Sequence, residues 1–144
     1  MQVKEIMTPS VECISPETPL RDAAQKMRAL DVGFLPVQED SRLVGTLTDR
    51  DIVVRAIADG KDVEYCKTRE IMTPEAFWCY DDQSVDEVAD YMAEKAVRRV
   101  LILDRAKHLA GVVSIGDLAR TGGEQQKAGE TVKEIAQAPT AEAA

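Results

Sequence analysis

The fold of this chain is decided by a short stretch that occurs twice, as GTLTDRDI at residues 45–52 and as GVVSIGDL at residues 111–118. Each version has a glycine, two residues suited to a strand, a hydroxyl residue, two variable residues, an aspartate and an aliphatic residue. This pattern predicts a strand that runs directly into a helix, with the hydroxyl residue at the junction. A duplicated junction in turn predicts a duplicated unit.

The sequence around the two stretches is duplicated as well. The pentapeptide EIMTP at 5–9 returns at 70–74, a shift of 65 positions, and after one extra loop residue the shift becomes 66. The larger shift aligns Gly45 with Gly111 and Asp51 with Asp117. We therefore predict repeat 1 at residues 1–62, repeat 2 at 63–121, and a tail at 122–144 that is partly helical or disordered.

Composition is typical of a soluble globular protein. The 144 residues are 44% hydrophobic and 31% charged, which suffices for a core without disulfides. A net charge of -8 argues against general binding to nucleic acid or to an anionic membrane. The three cysteines lack CxxC spacing, and no signal region or membrane-length apolar run is present. We therefore expect a cytoplasmic protein.

Both repeats predict the same order of elements. In repeat 1 we predict a strand at 11–14, a helix N-capped by Thr18, strands at 34–37 and 43–47, and a helix from Asp49. In repeat 2 we predict a strand at 76–80, a helix with a Ser84–Glu87 capping box, strands at 100–103 and 109–113, and a helix from Ile115. Because such a unit cannot cover both faces of its sheet, two copies should form one pseudo-twofold α/β (α+β) domain.

The first helix of each repeat has an apolar stripe at helical spacing. These stripes are predicted to pack closely on the sheet, and they consist of Leu20, Ala23, Ala24, Met27 and Leu30 in repeat 1 and of Val85, Val88, Ala89, Met92 and Ala96 in repeat 2. Cys13 and Cys79 lie on or near strands, which predicts small core residues. Cys66 lies in a polar connector, where we expect an exposed thiol and the best candidate for redox contact.

The strand-to-helix junction has chemistry suited to a nucleotide. The first amides of a helix are unpaired and its dipole is positive there, so a phosphate can bind. Thr48 and Ser114 add a hydroxyl donor at this end. Asp51 and Asp117 would repel phosphate, but a carboxylate suits the two hydroxyls of a ribose.

A structural interpretation of the same residues remains open. A Ser or Thr followed three residues later by an acid forms a capping box, and an aspartate in the first turn is favourable on its own. Arg50 lies in the first motif, and Arg98 and Arg99 precede a strand where repeat 1 has Gly33 and Phe34. These arginines either bind phosphate or form surface ion pairs. Because repeat 2 has arginines where repeat 1 has Gly33 and Phe34, the two ligand sites would not be equivalent.

These motifs resemble those of the CBS domain, a module that occurs in tandem pairs. The resemblance covers about residues 3–120 and rests on IMTP twice, FLPV at 34–37 and the two Gly-x-x-Thr/Ser-x-x-Asp stretches. It is strongest to small stand-alone bacterial or archaeal proteins with one CBS pair. It implies two clefts between the repeats, no catalysis, and binding of AMP, ADP or ATP, sometimes NAD or S-adenosylmethionine. It also implies energy sensing and homodimers shaped as a flat disc.

The resemblance also implies which residues line each cleft. One cleft would combine Ser114, Gly116 and Asp117 with Thr8, Cys13, Val32 and Gly33. The other would combine Thr48, Arg50 and Asp51 with Thr73, Trp78, Val97, Arg98 and Arg99. Repeat 2 departs from repeat 1 at one position of this pattern, because it has Leu101 where repeat 1 has Pro36. Trp78 either stacks on an adenine or fills that space as a core residue.

The predicted function is a regulatory module that binds adenine nucleotides and transmits occupancy to a regulated partner protein or to its dimer. The alternative is a structural or interaction module with degenerate, ligand-free clefts. We expect neither a metal site nor an enzyme. His108 is the only histidine, and no nucleophile, Walker A or dinucleotide-binding signature is present.

Overall fold

The computed structural model describes residues 1–74 and 76–120, so the predicted tail at 122–144 lies outside the described residues. The chain forms two compact units. The central unit is Glu12–Ala76, and the terminal unit is Met1–Val11 together with the described residues from Phe77 to Arg120. Each unit therefore contains the body of one repeat and the leading segment of the other.

The predicted mixture of small sheets and helices is confirmed. In chain order the elements are β1 (Thr8–Pro9), α1 (Leu20–Leu30), β2 (Phe34–Glu39), β3 (Arg42–Thr48), α2 (Asp49–Asp51, continued by a π-helical stretch at Ile52–Ile57), β4 (Thr73–Pro74), β5 (Trp78–Tyr80), α3 (Val85–Lys95), β6 (Arg99–Leu103), β7 (Leu109–Ser114) and α4 (Ile115–Ala119). Short 3₁₀ turns occur at Val3–Glu5 and Thr68–Glu70.

The two sheets follow the same plan. In the central unit the strand order is β2-β3-β4, and both pairs are antiparallel. In the terminal unit the order is β1-β7-β6-β5, in which only β5 and β6 are parallel. Ile14 makes a single parallel bridge to Val37, so it takes the place in the central sheet that β5 takes in the terminal sheet.

The strand predicted at 11–14 is wrong, because only Ile14 pairs. The Ile14 N–H donates to the Pro36 carbonyl at 3.0 Å, and the Gln38 N–H donates to the Ile14 carbonyl at 2.9 Å. The next bond toward the N-terminus would need an N–H at Pro36, which proline lacks. In repeat 2, Leu101 stands at the matching position and its N–H donates to the Phe77 carbonyl at 3.0 Å. One residue difference therefore shortens the strand in repeat 1.

The helix start predicted in repeat 2 is confirmed, whereas the one predicted in repeat 1 is not. The Ser84–Glu87 capping box of α3 is confirmed, with the Glu87 N–H donating to Ser84 Oγ at 3.0 Å. The Thr18 cap is wrong by one residue, because α1 is capped by Pro19 and begins at Leu20. The Thr18 carbonyl instead accepts the N–H and the hydroxyl of Thr68, at 2.9 and 2.8 Å. The Thr18 hydroxyl, which is the group expected to cap the helix, accepts the Ser15 N–H at 3.2 Å instead.

Most residues of the two apolar stripes lie in two separate cores. The core of the terminal unit includes Val85, Val88, Ala89 and Met92, as predicted. The core of the central unit includes Leu20, Ala23 and Met27. Two predictions in α1 are wrong, since Ala24 and Leu30 are exposed. Ala24 lines an open cavity instead of contacting the sheet. Ala96 ends α3 as its left-handed cap.

The leading segments bind their units through matching backbone hydrogen bonds. In the terminal unit the bonds run from Val3 N–H to Gln83 O (2.8 Å), from Lys4 N–H to Asp81 O (3.2 Å) and from Val85 N–H to Met1 O (3.0 Å). In the central unit they run from Thr68 N–H to Thr18 O (2.9 Å), from Arg69 N–H to Pro16 O (2.8 Å) and from Leu20 N–H to Cys66 O (2.9 Å). The two sets are related by the repeat shift of 65 positions.

Charged side chains reinforce the segment of the central unit. Glu17 forms ion pairs with Lys67 and Arg69, and Arg69 also pairs with Glu39. The hydrogen bond from Lys67 contributes most to lowering the pKa of the Glu17 carboxyl, and the hydrogen bond from Arg69 contributes next.

The prediction that Cys66 is exposed is wrong, because this residue belongs to the core of the central unit. Burial raises the pKa of its thiol.

Candidate functional site

The glycine that opens each motif lies against the leading segment of its unit. A Cβ at Gly45 would lie 2.5 Å from the Thr73 carbonyl oxygen, and one at Gly111 would lie 2.6 Å from the Thr8 carbonyl oxygen. β4 pairs Thr73 with Thr46, and β1 pairs Thr8 with Val112. The EIMTP segments and the glycine motifs are therefore two sides of one contact. Both features occur in each repeat of the sequence, but their contact is visible only in the structure.

The junction of the central unit is the turn from β3 into α2. The Asp51 N–H donates to Thr48 Oγ1 at 3.0 Å, and the Thr48 N–H donates to Asp51 Oδ2 at 3.0 Å. Asp51 Oδ1 lies 3.8 Å from Nε of Arg55 on the next helical turn. The Asp51 side chain is only 7% exposed. Its carboxylate is therefore held in one orientation by a backbone amide and a cation.

The junction of the terminal unit, from β7 into α4, repeats this arrangement. The Asp117 N–H donates to Ser114 Oγ at 3.3 Å, and the Ser114 N–H donates to Asp117 Oδ2 at 2.9 Å. Asp117 Oδ1 accepts a hydrogen bond from Arg120 at 2.5 Å. The Asp117 side chain is 11% exposed. The same box and the same acid–arginine contact thus occur at both junctions.

The capping-box interpretation of the motif is therefore confirmed in both units. In each box, Oδ2 of the aspartate accepts the amide of the hydroxyl residue, whereas Oδ1 faces an arginine. A structural cap and a ligand contact are compatible, because the box fixes the carboxylate before any ligand arrives. Arg55 and Arg120 were missed from the sequence. Their spacing of four and three residues from the aspartate was the available signal.

The other predicted residues of the central unit lie near its junction or on its surface. The Asp49 N–H donates to the Gly33 carbonyl at 3.0 Å, and a Cβ at Gly33 would lie 2.7 Å from Asp49 Oδ2. Arg50 and Val32 are exposed. Cys13 is half-buried, and burial raises the pKa of its thiol. Asp49, which the prediction omitted, is thus the acid nearest to Gly33.

The predicted residues of the terminal unit include three that surround its junction. The Ile115 N–H donates to the Arg98 carbonyl at 3.1 Å, and Arg99 is the cross-strand partner of Ser114. Gly116 is half-buried in α4. Val97, in contrast, is fully buried in the core. Its side chain therefore supports packing.

Trp78 lies half-buried on β5. Its ring meets the Tyr80 ring edge to face, with centroids 5.0 Å apart, and Lys107 Nζ lies 5.8 Å from its centroid. Adenine stacking and a core role both stay predictions for Trp78. The combination of residues from both repeats into two clefts stays a prediction.

One open cavity of about 500 Å³ lies in the central unit. It is lined by Ala24, Met27, Arg28, Asp31, Val32, Gly33, Asp49, Ile52 and Val53.

Within residues 1–74 and 76–120, no group of three or more His, Cys, Asp or Glu is placed to hold a metal ion. Across the same residues, no helix has the length and apolar character needed to cross a membrane.

Comparison with known proteins places the chain among small two-repeat proteins. It is 35% identical over 133 residues to the CBS domain-containing protein YhcV of Bacillus subtilis, covering 92% of this chain and 94% of the relative. It is 36% identical over 118 residues to Hypoxic response protein 1 of Mycobacterium tuberculosis, covering 81% and 82%.

Solved structures agree with this placement. Hypoxic Response Protein I, crystallised with two coordinated zinc ions, superposes with a TM-score of 0.75 at 35% identity, covering 85% of this chain and 99% of that one. A CBS domain pair in complex with 5'-methylthioadenosine and S-adenosyl-L-methionine superposes with a TM-score of 0.73 at 27% identity, covering 85% and 96%. The family model described as CBS domain matches residues 3–57 and 69–123. With both repeats matched, the chain belongs to the CBS-domain family as a tandem pair.

Proposed function

We propose that this chain is a regulatory module that binds adenosine-containing ligands and transmits their occupancy to a partner or to its own dimer. AMP, ADP and ATP are the leading candidates, and NAD or S-adenosylmethionine are further ones. The observation that carries the proposal is the carboxylate of Asp51 and of Asp117, which both units hold nearly buried in the same orientation. A fixed carboxylate suits the two hydroxyls of a ribose, because each hydroxyl can donate to it.

A solved relative supports the adenosine part of this proposal. The CBS pair at 27% identity was crystallised with 5'-methylthioadenosine and S-adenosyl-L-methionine. Both compounds share the adenosine group with AMP and ATP. We expect binding without turnover, since the motifs supply ribose and phosphate contacts but no nucleophile signature. Release of phosphate or adenine that depends on Asp51 or Asp117 would contradict this.

The ligand test needs variants that separate capping from binding. Asp51→Asn and Asp117→Asn keep an oxygen that can accept the amide of Thr48 or Ser114, but they lose one ribose acceptor and the charge. We expect each to weaken adenosine binding at its own junction by about 1.5–3 kcal/mol. Titration calorimetry of the intact chain with AMP, ATP, NAD and S-adenosylmethionine measures this, and urea unfolding checks that the fold is kept.

The alternative function is a ligand-free interaction module with the same fold. It predicts no binding of these compounds below about 1 mM, which would reject the sensing proposal for them. Weakened binding in the asparagine variants together with unchanged unfolding would reject the alternative. Loss of folding in the asparagine variants would show that the carboxylates are required as caps.

We also propose that the dimer contact uses a docking face on the central unit, defined by Val32 and Val53, which line the open cavity, together with Ile57. Val53 is 55% exposed and Ile57 is 59% exposed. Arg28 and Asp31 line the same cavity, so the face carries both signs of charge. A two-fold contact places a surface against itself, and only a self-complementary face of this kind suits it.

The test of this dimer is molar mass in solution. Light scattering after gel filtration should show a dimer for the natural chain and a monomer for Val53→Asp with Ile57→Asp. Tyr65→Asp is the matched control, because Tyr65 is 81% exposed and lies outside the docking face. A dimer that persists in the double variant would show that another surface makes the contact.

A further inference from the structure

The N-terminal segment contains a short motif that occurs again near the other end of the chain. Residues 3–6 read VKEI, and residues 132–135 of the tail read VKEI as well. The leading segment of the central unit has the related sequence TREI at 68–71. The tail copy lies outside the described residues, whereas the other two copies are described completely. Their contacts identify what each position of the motif does.

The positions of the motif have the same roles in both units. The first residue is buried, since Val3 and Thr68 are both 0% exposed. The third is a glutamate, Glu5 or Glu70, whose carboxylate accepts the backbone N–H of the residue three positions earlier at 2.7 Å. The isoleucine of each copy packs on the core of its unit. The motif is therefore the attachment sequence of a leading segment.

The first residue of the tail copy distinguishes the two units. In the central unit the Thr68 hydroxyl donates to the Thr18 carbonyl at 2.8 Å, and a valine cannot make that bond. In the terminal unit, Val3 belongs to an apolar core cluster, and Val132 has the same side chain. The tail copy therefore matches the attachment site of the terminal unit.

This attachment site, called the segment site below, is made largely of backbone groups. It consists of the Asp81 and Gln83 carbonyls and the Val85 N–H, which bond to backbone groups of residues 1–4 at 2.8 to 3.2 Å. In contacts of this kind the backbone provides affinity, and the buried side chain provides specificity. A second segment with the same buried valine can therefore make the same bonds.

The match between the two segments ends after the isoleucine. Residues 7–9 read MTP and include β1, which pairs with β7, whereas residues 136–138 of the tail read AQA. The tail thus matches the first part of the attachment but not the strand, so it should bind more weakly than the N-terminal segment. In the structure the N-terminal segment occupies the site, and the tail can enter only when that segment detaches.

The tail is long enough to reach the segment site of its own chain. Residues 121–131 separate Arg120 from Val132, and they span at most about 40 Å when extended. A compact unit of about 55 residues, such as the terminal one, measures roughly 26 Å across. Because Arg120 lies in the same unit as the segment site, the contact needs no second chain.

We infer that residues 132–135 are an alternative occupant of the segment site, which they take when the N-terminal segment detaches. The exchange keeps the core of the terminal unit covered, but it leaves the edge of β7 that bonds to β1 unpaired. Because β7 runs into the junction at Ser114, the exchange changes the surroundings of that junction. The inference does not depend on the proposed function, since no ligand takes part.

Amide hydrogen exchange of the full chain, followed by NMR, tests this inference. The Val3 N–H loses its bond to Gln83 whenever the N-terminal segment detaches, whereas the Val85 N–H is open only when neither segment is bound. A tail that binds with a dissociation constant of about 0.3 mM, at an effective concentration of about 1 mM, raises the detached population about fourfold. The natural tail should therefore speed exchange at Val3 and not at Val85.

Two tail variants and one control measure this effect. Val132→Asp puts a charge at the buried position, so it should slow Val3 exchange about fourfold and leave Val85 exchange unchanged. Ala141→Asp adds the same charge to the tail outside the motif and should change neither rate. A triple variant completes the match to MTP and should speed Val3 exchange about tenfold or more; it combines Ala136→Met, Gln137→Thr and Ala138→Pro.

The same measurements contain the outcomes that overturn the inference. Equal Val3 exchange in the natural chain and in Val132→Asp would overturn it, and so would a triple variant that exchanges like the natural chain. The Val88 N–H, which donates to the Ser84 carbonyl at 3.1 Å, reports global stability, and an equal change there would also count against it. An effect that grows with protein concentration between about 20 and 500 µM would assign the bound tail to a second copy and overturn the contact within one chain.

Discussion

Replacing the first glycine of each motif with alanine should weaken the attachment of the leading segment. A Cβ at Gly45 would lie 2.5 Å from the Thr73 carbonyl oxygen, whereas ordinary contact begins at 3.4 Å. β4 would therefore have to retreat by about 0.9 Å. At Gly111 the added carbon would meet the Thr8 oxygen at 2.6 Å and the Met7 sulfur at 2.8 Å. Backbone on both sides of the clash leaves little room to relax.

The cost can be bounded from this geometry. Overpacking of a well-packed site costs about 1–3 kcal/mol. Loss of one backbone hydrogen bond of the short β3–β4 or β1–β7 pair adds about 1 kcal/mol. Each alanine variant should therefore lower the free energy of unfolding by about 2–4 kcal/mol, which corresponds to a melting temperature roughly 5–15 °C lower.

The assay is urea unfolding followed by circular dichroism and by tryptophan fluorescence. Trp78 is the only tryptophan and lies in the terminal unit, so fluorescence reports on the unit that Gly111→Ala perturbs. Gly116→Ala is the control, because its Cβ would make only ordinary contacts, with the flexible end of Arg120 at 3.4 Å and with Ser114 Oγ at 3.5 Å. As a helical glycine replaced by alanine, it should raise stability by up to about 1 kcal/mol. Unfolding free energies of Gly45→Ala and Gly111→Ala within about 0.5 kcal/mol of the natural chain would refute the close-contact argument.

Three further predictions concern a cap, a strand and a thiol. Ser84→Ala should lower stability by about 1 kcal/mol, because it removes the acceptor of the Glu87 N–H, whereas Ser84→Thr should keep most of it in the same unfolding assay. Pro36→Leu should restore the N–H that repeat 2 has at Leu101 and allow it to donate to the Glu12 carbonyl. Hydrogen exchange should then find the new amide protected, and exchange at the rate of an open amide would count against this bond. Burial raises the pKa of Cys79 from 9.0 to about 12, so its contribution to stability is complete below pH 9 and is lost as pH rises toward 12. Between pH 8 and 11 the free energy of unfolding should therefore fall more steeply with pH for the natural chain than for Cys79→Ala. Parallel pH dependences of the two unfolding free energies would contradict the raised pKa.

The local features of the chain were predictable because their partners are close in sequence. The two hairpins pair neighbouring strands, as expected from the strands predicted at 34–37 and 43–47 and at 100–103 and 109–113. The capping boxes at Thr48 and Ser114 join residues three positions apart. For the candidate site, this locality is why the sequence could identify the hydroxyl and the acid of each junction together.

Other features depended on segments that meet only in the folded chain. Cys66 was expected to be exposed because its neighbours are polar, but its carbonyl accepts the Leu20 N–H and its side chain enters the central core. Ala24 and Leu30 fit a helical stripe, yet the surface above them is open. Periodicity shows which side chains share a helix face, but it does not show whether another segment covers that face.

By itself, the sequence determined the duplication, the order of elements and the chemistry of each junction, because these follow from spacing within a few residues. Tertiary structure decided that each leading segment binds the body of the other repeat, through hydrogen bonds such as Val3 to Gln83 and Thr68 to Thr18. It also decided why each motif opens with glycine, since only contact with that segment leaves no room for a Cβ. Hydrogen bonds between segments 50 or more residues apart leave no periodic trace in sequence, so their partners emerge only when the chain folds.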